Sequence, residues 1–378
     1  MNLAIAWLVV RWLLGWALFK MPALPRPTPD APPTLDGVTV IIPARNEAKS
    51  LPILLAALDS QTIRPDEVVV VDDHSSDATA AIASVAGAHV LSAPGLPSDW
   101  TGKSWAIWNG VQASTGGVLV FLDADTRPHP EFLAHALAER KRVGGIVSVL
   151  PYHRMTHIYE RLSALFNLLG VLGGGLGADP KRRGVGFGPA MVTSRADYLA
   201  VGGHASIRAA VLEDQALATR YADAGLPTEA FIGRTDIAFR MYPDGTASII
   251  EGFAKNFASG AGGLPILRLV ALVVWVSGLI SASAALTWQL AMWVGTGHAP
   301  TLVTVVAYVA FAAQLAIMLR PVGNFGLTAW VMPIPVAFFL LVFAYSVVGW
   351  VRGYVVWKGR RIAVRPNRDA HDRSGPDS

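Results

Sequence analysis

The sequence predicts an α/β protein, a mostly parallel sheet flanked by helices, with apolar membrane helices before and after it. Three observations carry this. Between residues 38 and 150, short β-branched runs alternate with helix-length stretches, a pattern that calls for a parallel sheet with right-handed crossovers. The run Val118-Leu-Val-Phe-Leu122 has no polar interruption, as in a strand buried on both faces, and it ends in two acids, Asp123 and Asp125. The apolar excess of the 378-residue chain, 52% hydrophobic with mean hydropathy +0.42, gathers at residues 3–19 and 265–351. The middle is left with ordinary soluble composition.

The elements follow in order. Residues 3–19 lack a basic start, carry Arg11 within them and lead into Lys20 rather than a small-residue cleavage site. They read as an uncleaved, short membrane anchor over residues 1–21. Residues 22–36 form a semi-rigid linker with prolines at 22, 25, 27, 29, 32 and 33. Val38-Thr-Val-Ile-Ile-Pro43 is a strand, residues 49–60 a helix, and Glu67-Val-Val-Val-Val-Asp72 a second buried strand. A helix over about residues 77–86, a short strand at 88–92 and a helix over about 104–113 lead to the strand at Val118. Residues 146–150 form a further strand. Residues 158–176 are apolar with embedded glycines and fit either a core helix or one wall of a lipid tunnel. Residues 184–193 read as a flexible loop and strand, and Val211-Leu-Glu-Asp-Gln-Ala-Leu217 opens a helix.

Polar residues cluster at the strand ends: Pro43-Ala-Arg-Asn-Glu47, Asp72-Asp-His-Ser-Ser-Asp77 and Asp123-Ala-Asp125. Open α/β sheets bind ligands at the carboxyl ends of their strands. Paired hard oxygens there suit Mg²⁺ or Mn²⁺ shared with a phosphate. Asp123 followed by a turn through Thr126-Arg-Pro-His-Pro130 also fits simple helix capping, as does Glu213-Asp214 at its helix start. No G-x-G-x-x-G follows the first strand. Thr101-Gly-Lys-Ser104 lacks the glycine that a P-loop needs at position 97, which is Pro97. Without a phosphate-cradling loop, a metal on the acid pair must carry much of any phosphate charge.

Cysteine is absent, which excludes disulfides and thiolate metal sites. The pI of about 9.4 is no sign of nucleic-acid binding. The basic residues lie in short clusters at 140–142, 181–183 and along the tail 352–373, beside apolar segments, a pattern suited to anionic lipid headgroups.

Six motifs in order, Ile-Ile-Pro-Ala-Arg-Asn-Glu47, Val-Val-Asp-Asp-His-Ser-Ser-Asp77, Thr-Gly-Lys-Ser-Trp-Ala106 with Asn109-Gly110, Phe-Leu-Asp-Ala-Asp125, Val-Gly-Gly203 and Leu-Glu-Asp214, resemble the family 2 glycosyltransferases. Their membrane-bound branch with carotenoid (diaponeurosporenoate) and hopanoid-associated glycosyltransferases is the most similar in layout. The resemblance implies a GT-A nucleotide-sugar-binding domain over residues 37–257 and a divalent metal, Mg²⁺ or Mn²⁺. Carried over, it puts Pro43, Arg45, Glu47 and Asp73 or Asp72 around the nucleoside, and Lys103 at the base or the diphosphate. It puts Asp123 at the ribose or the metal, Asp125 on the metal, Glu213 beside the substrate, and Asp214 in the role of catalytic base. The Gln-x-x-Arg-Trp motif of processive synthases is absent, and Glu251-Gly-Phe-Ala-Lys-Asn256 stands instead. This argues against a long polymer product and leaves Lys255 as either a substitute positive charge or a membrane-surface lysine.

The expected function is inverting transfer of a sugar, from a UDP-sugar in particular, to a lipid acceptor such as a carotenoid or hopanoid. A polyprenyl-phosphate sugar synthase would share every soluble motif. A non-catalytic membrane scaffold would not need Asp123, Asp125 and Asp214 together. Within residues 264–351, the apolar stretches 269–294, 301–319 and 328–351 are each long enough to span a bilayer, while the sheet domain needs no membrane to fold. The expected location is the cell membrane of a bacterium, multi-pass, with the catalytic domain facing the cytoplasm. Three spans after a cytoplasmic domain would put the basic tail 352–378 outside, against the positive-inside bias. One segment is therefore interfacial or re-entrant, the candidates being the first helix and Trp330-Val-Met-Pro-Ile-Pro335.

Overall fold

The structure, a computed structural model, describes residues 3–26, 37–174, 176, 184–260, 265–357 and 360–363. The chain opens with helix α1 (Leu3–Leu18) and then enters the sheet region through β1 (Val38–Ala44), α2 (Leu51–Asp59), β2 (Glu67–Asp72), α3 (Thr79–Val85), β3 (His89–Ser92), α4 (Gly102–Gln112) and β4 (Val118–Leu122). β5 (Thr126–Pro128), α5 (Phe132–Val143), β6 (Ile146–Leu150) and β7 (Tyr152–His153) follow. Next come α6 (Ala164–Gly174), β8 (Ala190–Ser194), α7 (Arg195–Ala200), α8 (Glu213–Asp223), β9 (Thr228–Ile232) and β10 (Ile237–Phe239). The chain continues through α9 (Thr246–Gly260), α10 (Ile266–Thr296), α11 (Leu302–Leu319) and α12 (Pro333–Arg352), and closes with the hairpin β11 (Tyr354–Trp357) and β12 (Arg360–Ala363).

The main sheet has seven strands in the order β3-β2-β1-β4-β8-β6-β9. β1 pairs parallel with β2 and β4, and β6 with β9, while β8 runs antiparallel between β4 and β6. The run of Val, Ile and Leu residues in β1, β2 and β4 is buried on both faces, Val40, Ile42, Val70 and Val120 at 0% exposure, which is why these strands show no alternation. Because β1, β2 and β4 are parallel, their acid-bearing carboxyl ends meet at one edge.

A second sheet, β5-β10-β7, sits at that edge. The Thr126-Arg-Pro128 segment after the acid pair is therefore a strand and not only the turn into the next helix. Residues 158–174 form a 3₁₀ turn (Ile158–Ser163) and α6, whose Leu165, Phe166, Leu168 and Leu172 are buried. This is the core-helix alternative.

α10, α11 and α12 are each long and apolar enough to cross a membrane, whereas α1 has 16 residues. α1 packs against α10 and α11. Arg11 Nη1 donates to Ser281 Oγ at 2.9 Å, and Gln314 joins Trp275 to the Trp12 carbonyl with bonds of 2.9 and 2.7 Å. These contacts give the polar groups of an apolar bundle their partners. The connector after α1 is tied to the sheet, with Leu24 N–H donating to Ile232 O and Ile232 N–H to Pro22 O. The sheet unit has two buried clusters of its own and shares a third with the apolar helices. The shared cluster runs from Phe166 and Ile249 through Phe253 to Trp275, Phe311 and Phe339, so α6 and α9 complete their core with the apolar helices. The linker residues 27–36, the basic cluster 181–183 and the tail 364–378 lie outside the described residues.

Candidate active site

Two loops close the site on the β1–β2 side. Asn46 and His74 adopt left-handed backbone with φ of 55° and 57°, which Asn and His tolerate better than most residues. The loops interlock: Asn46 N–H donates to Ser75 Oγ, Ser76 N–H to Asn46 Oδ1, Glu47 N–H to Thr79 Oγ1 and Ala48 N–H to Asp77 Oδ2, at 2.8 to 3.1 Å. Asp77 is held below the usual carboxylate range; burial pushes its pKa up, and the donors from Thr79 and Ala48 outweigh that. The frame sets Arg45 3.4 Å from Asp73. Beside it Asp72 is buried, with Oδ2 accepting from Ser75 N–H and Oδ1 lacking a hydrogen-bond partner. Pro43 lies half-buried in β1.

The centre is built around Lys103, in the first turn of α4. Trp100 and Trp105 pack with ring centroids 4.8 Å apart around that turn. Lys103 Nζ lies 2.7 Å from Asp123 Oδ1 and 2.9 Å from Glu213 Oε1, joining the end of β4 to the start of α8. Burial works to lower the lysine's pKa, but the two carboxylates outweigh it and keep the ammonium charged.

Asp214 follows directly. Its Oδ2 accepts from Gly188 N–H and its Oδ1 from Gln215 N–H, both at 2.8 Å. It thus satisfies a backbone N–H in the first turn of α8 and also faces the cleft: a β-carbon at Gly188 would stand 3.2 Å from Lys103 Nζ and 3.4 Å from Asp214 Oδ2. The segment 184–188, expected as flexible, is fixed by close approach. A β-carbon at Gly184 would collide with the Ala218 carbonyl, and one at Gly186 would sit 2.5 Å from the Asp214 carbonyl oxygen. Its glycines are there for contact and not for freedom. Burial and the neighbouring Glu213 charge raise the Asp214 carboxyl to about 6 against the pull of Lys103.

Asp125 has the larger shift. Burial, Asp123 and Glu47 push it up to about 8, opposed by Lys103. Three carboxylates thus crowd an edge where Lys103 pairs with Asp123 and also acts on Asp125. A divalent cation on Asp123 and Asp125 would relieve that excess, so the donor set fits one. Among the described residues no group of three or more His, Cys, Asp or Glu forms a metal cage. Two carboxylates with the remaining positions left to phosphate or water match the way Mg²⁺ and Mn²⁺ are held beside nucleotides.

The structure therefore brings together Lys103, Asp123, Glu213 and Asp214, with Asp125 and Glu47 in electrostatic reach and Arg45, Asp72 and Asp73 on the adjoining loops. Lys255 lies in α9, and its side chain is outside the described part of the structure. Sequence reasoning missed Arg127, Arg154, Arg240 and Tyr242, all on or next to the small sheet at the same edge. Burial and the charges of Arg154 and Arg240 lower the pKa of Arg127, with Asp125 opposing them. Burial and Asp125 raise that of Tyr242. Strands of two or three residues carry no period that would have revealed them.

Comparison with known proteins agrees with this geometry. Residues 39–185 match the family model described as glycosyl transferase family 2. The chain is 34% identical over 343 residues to the 4,4'-diaponeurosporenoate glycosyltransferase of Staphylococcus aureus strain MRSA252, covering 87% of this chain and 88% of that protein. It is 33% identical over 340 residues to the protein of the same name from strain USA300, with the same coverage. Its fold matches that of the mannosyltransferase PcManGT from Pyrobaculum calidifontis, solved in complex with GDP-Man and Mn²⁺, at a TM-score of 0.52 and 21% identity over 92% of this chain and 95% of that one.

Proposed function

The chain belongs to glycosyl transferase family 2 and is a glycosyltransferase of GT-A fold, and from that premise we propose that it moves a sugar from a UDP-sugar to a membrane-borne lipid acceptor of carotenoid type, with inversion at the anomeric carbon. The single observation that carries this is the convergence of Lys103 on Asp123 and Glu213, with Asp214 beside it, at an edge whose core continues into apolar helices. The names of the Staphylococcus aureus relatives support the acceptor class.

In this account Arg45, Glu47, Asp72 and Asp73 hold the nucleoside, and the free Oδ1 of Asp72 accepts from it. Asp123 and Asp125 hold the divalent cation, which when bound supplies positive charge opposite the diphosphate. Lys103 fixes Asp123 and Glu213 and adds its own charge on the same side. The acceptor oxygen attacks the anomeric carbon, the bond from that carbon to the diphosphate oxygen breaks, and its electron pair leaves with the nucleoside diphosphate. A hydroxyl acceptor gives its proton to Asp214, whose raised pKa suits a base working near neutral pH. A carboxylate acceptor arrives ionised and needs no such transfer. The bilayer is the cell membrane, crossed more than once, with the sheet domain on the cytoplasmic side.

The test compares lipid extracts of cells with and without the gene, alongside a scan of nucleotide sugars with the purified protein. Loss of one glycosylated carotenoid and preference for a UDP-sugar are expected. A missing polyprenyl-phosphate sugar with carotenoids unchanged would overturn the acceptor assignment.

A further inference from the structure

The small sheet aligns three arginines with the acid that the proposed function gives to the metal. In β5 and β10, Phe239 pairs with Thr126 and Ala238 with Arg127, antiparallel; in β10 and β7, Phe239 pairs with His153, parallel. Continuing each register by one residue sets Arg240 beside Asp125 on one side and beside Arg154 on the other, and Arg154 N–H indeed donates to Phe239 O at 2.9 Å. Directly paired residues share a face, as do residues two apart on one strand. Arg154, Arg240 and Asp125 all act electrostatically on Arg127, so the four form one charged group at the end of the small sheet.

Glu160 neutralises Arg240, at 2.5 Å. Among the described residues neither Arg127 nor Arg154 forms an ion pair within 4.0 Å; Asp125 acts on Arg127 from farther away, and Arg127 is half-buried whereas Arg154 is exposed. Three arginines thus face Glu160 and Asp125, and a cation on Asp125 would leave the group with excess positive charge that an anion relieves. A small cavity adjoins Arg154, lined also by His153, Glu160 and Tyr242. His153 is 3% exposed, and its Nδ1 has no partner.

The position of the row separates two possible anions. Lys103 serves the donor side, at Asp123. The arginines lead the other way, to the ends of the apolar helices: His153 N–H donates to Val322 O at 2.9 Å, and Asn324, in the same loop after α11, accepts from Met155 N–H at 2.6 Å. A headgroup carried by a lipid arrives at that border, whereas the diphosphate of a soluble nucleotide does not need to reach it.

We propose that Arg127 and Arg154 form the site that binds the oxyanionic headgroup, carboxylate or phosphate, of the membrane-borne acceptor and holds it toward Asp125. This deepens the glycosyltransferase reading and rests on it. Guanidinium forks suit both oxyanions bidentately.

The test uses the full-length protein in lipid nanodiscs and three probes: retinoic acid, farnesyl phosphate and retinol. Binding is read by quenching of tryptophan fluorescence for the polyenes and by competition for farnesyl phosphate. UDP binding with Mn²⁺ is measured on the same preparation. Retinoic acid or farnesyl phosphate should bind more tightly than retinol, and the tighter of the two identifies the oxyanion. Arg154→Gln and Arg127→Gln should each weaken oxyanion binding by about tenfold or more and leave retinol and UDP binding within about twofold. Arg154→Lys should recover part of the loss. Equal affinity for acid and alcohol in the wild type would overturn the proposal. So would a loss confined to UDP, which would return the arginines to the diphosphate. Absence of UDP binding in the wild type would instead strike the glycosyltransferase reading, whatever the arginine variants do.

Discussion

Asp214 both accepts from a backbone N–H in the first turn of α8, as a capping side chain does, and faces the cleft, and the two roles have different consequences. Loss of a cap costs about 0.5–2 kcal/mol of stability without touching the rate per folded molecule. Loss of a general base lowers turnover by about 10²–10⁴-fold. For a hydroxyl acceptor, Asp214→Asn should keep the melting temperature and UDP-sugar affinity and lower turnover by that amount. The wild-type rate should then rise with pH through about 6 as the carboxyl ionises. A flat profile with an unaffected variant would mean an acceptor that is already ionised. At Asp125 the proton competes with the cation. Since its metal-free carboxyl titrates near 8, apparent Mn²⁺ affinity should fall as pH drops from 8 toward 6, by up to about tenfold per unit, and each ion bound should release a proton. Calorimetry in buffers of different ionisation enthalpy measures that release, and its absence would detach Asp125 from the metal. These acids were legible because each ends a strand-like run or opens a helix. Arg127, Arg154 and Arg240 were not, because only pairing across more than a hundred residues of sequence brings Arg127 and Arg240 together.

At the scale of elements, β1, β2 and β4 could be read from uninterrupted Val, Ile and Leu, and α10 and α11 from length and hydropathy. The antiparallel insertion of β8 could not, since a five-residue strand carries no mark of its partner's direction. The path after α11 bears on the conflict over the basic tail. Val322 meets the sheet unit at His153, yet the Tyr308 hydroxyl, about 16 Å back along α11 by the rise per residue, donates to Trp330 O at 2.7 Å. The chain thus dips into the bundle before α12 begins. α12 then returns, and Ser346 Oγ donates to the Ala254 carbonyl of α9 at 3.0 Å. We expect the C-terminus to lie on the same side as the sheet domain, in keeping with its basic residues. A C-terminal reporter active only in the cytoplasm should be on, matching one inserted in the sheet domain. Opposite signals from the two would show that α12 crosses completely.

The whole molecule is organised by a core that the sheet unit and the apolar helices share. From sequence, the sheet region needs no membrane segments to fold; the buried cluster that α6 and α9 share with the apolar helices leads us to expect that it does need them. Phe166 packs on Phe253 at 4.4 Å and on Phe339 of α12 at 5.1 Å. A chain ending after Gly260 would leave that side of α6 and α9 bare, and an apolar surface of this kind leads to aggregation. We expect such a truncation to be insoluble or to bind a hydrophobic dye strongly. A monomeric fragment with full UDP binding would contradict a shared core.

The central claim is metal-assisted sugar transfer at the acids of β4 and α8 to an acceptor held in the membrane. The most direct test is the initial rate at which ¹⁴C label from the UDP-sugar preferred in the nucleotide-sugar scan enters the organic phase. It should use the full-length protein in nanodiscs supplied with Mn²⁺ and a carotenoid acid, wild type beside Asp125→Asn. The wild type should label the lipid, chelation should abolish the signal reversibly, and the variant should fold normally and transfer at background. Undiminished transfer by folded Asp125→Asn, or release of label solely as free sugar by the wild type, would contradict the account.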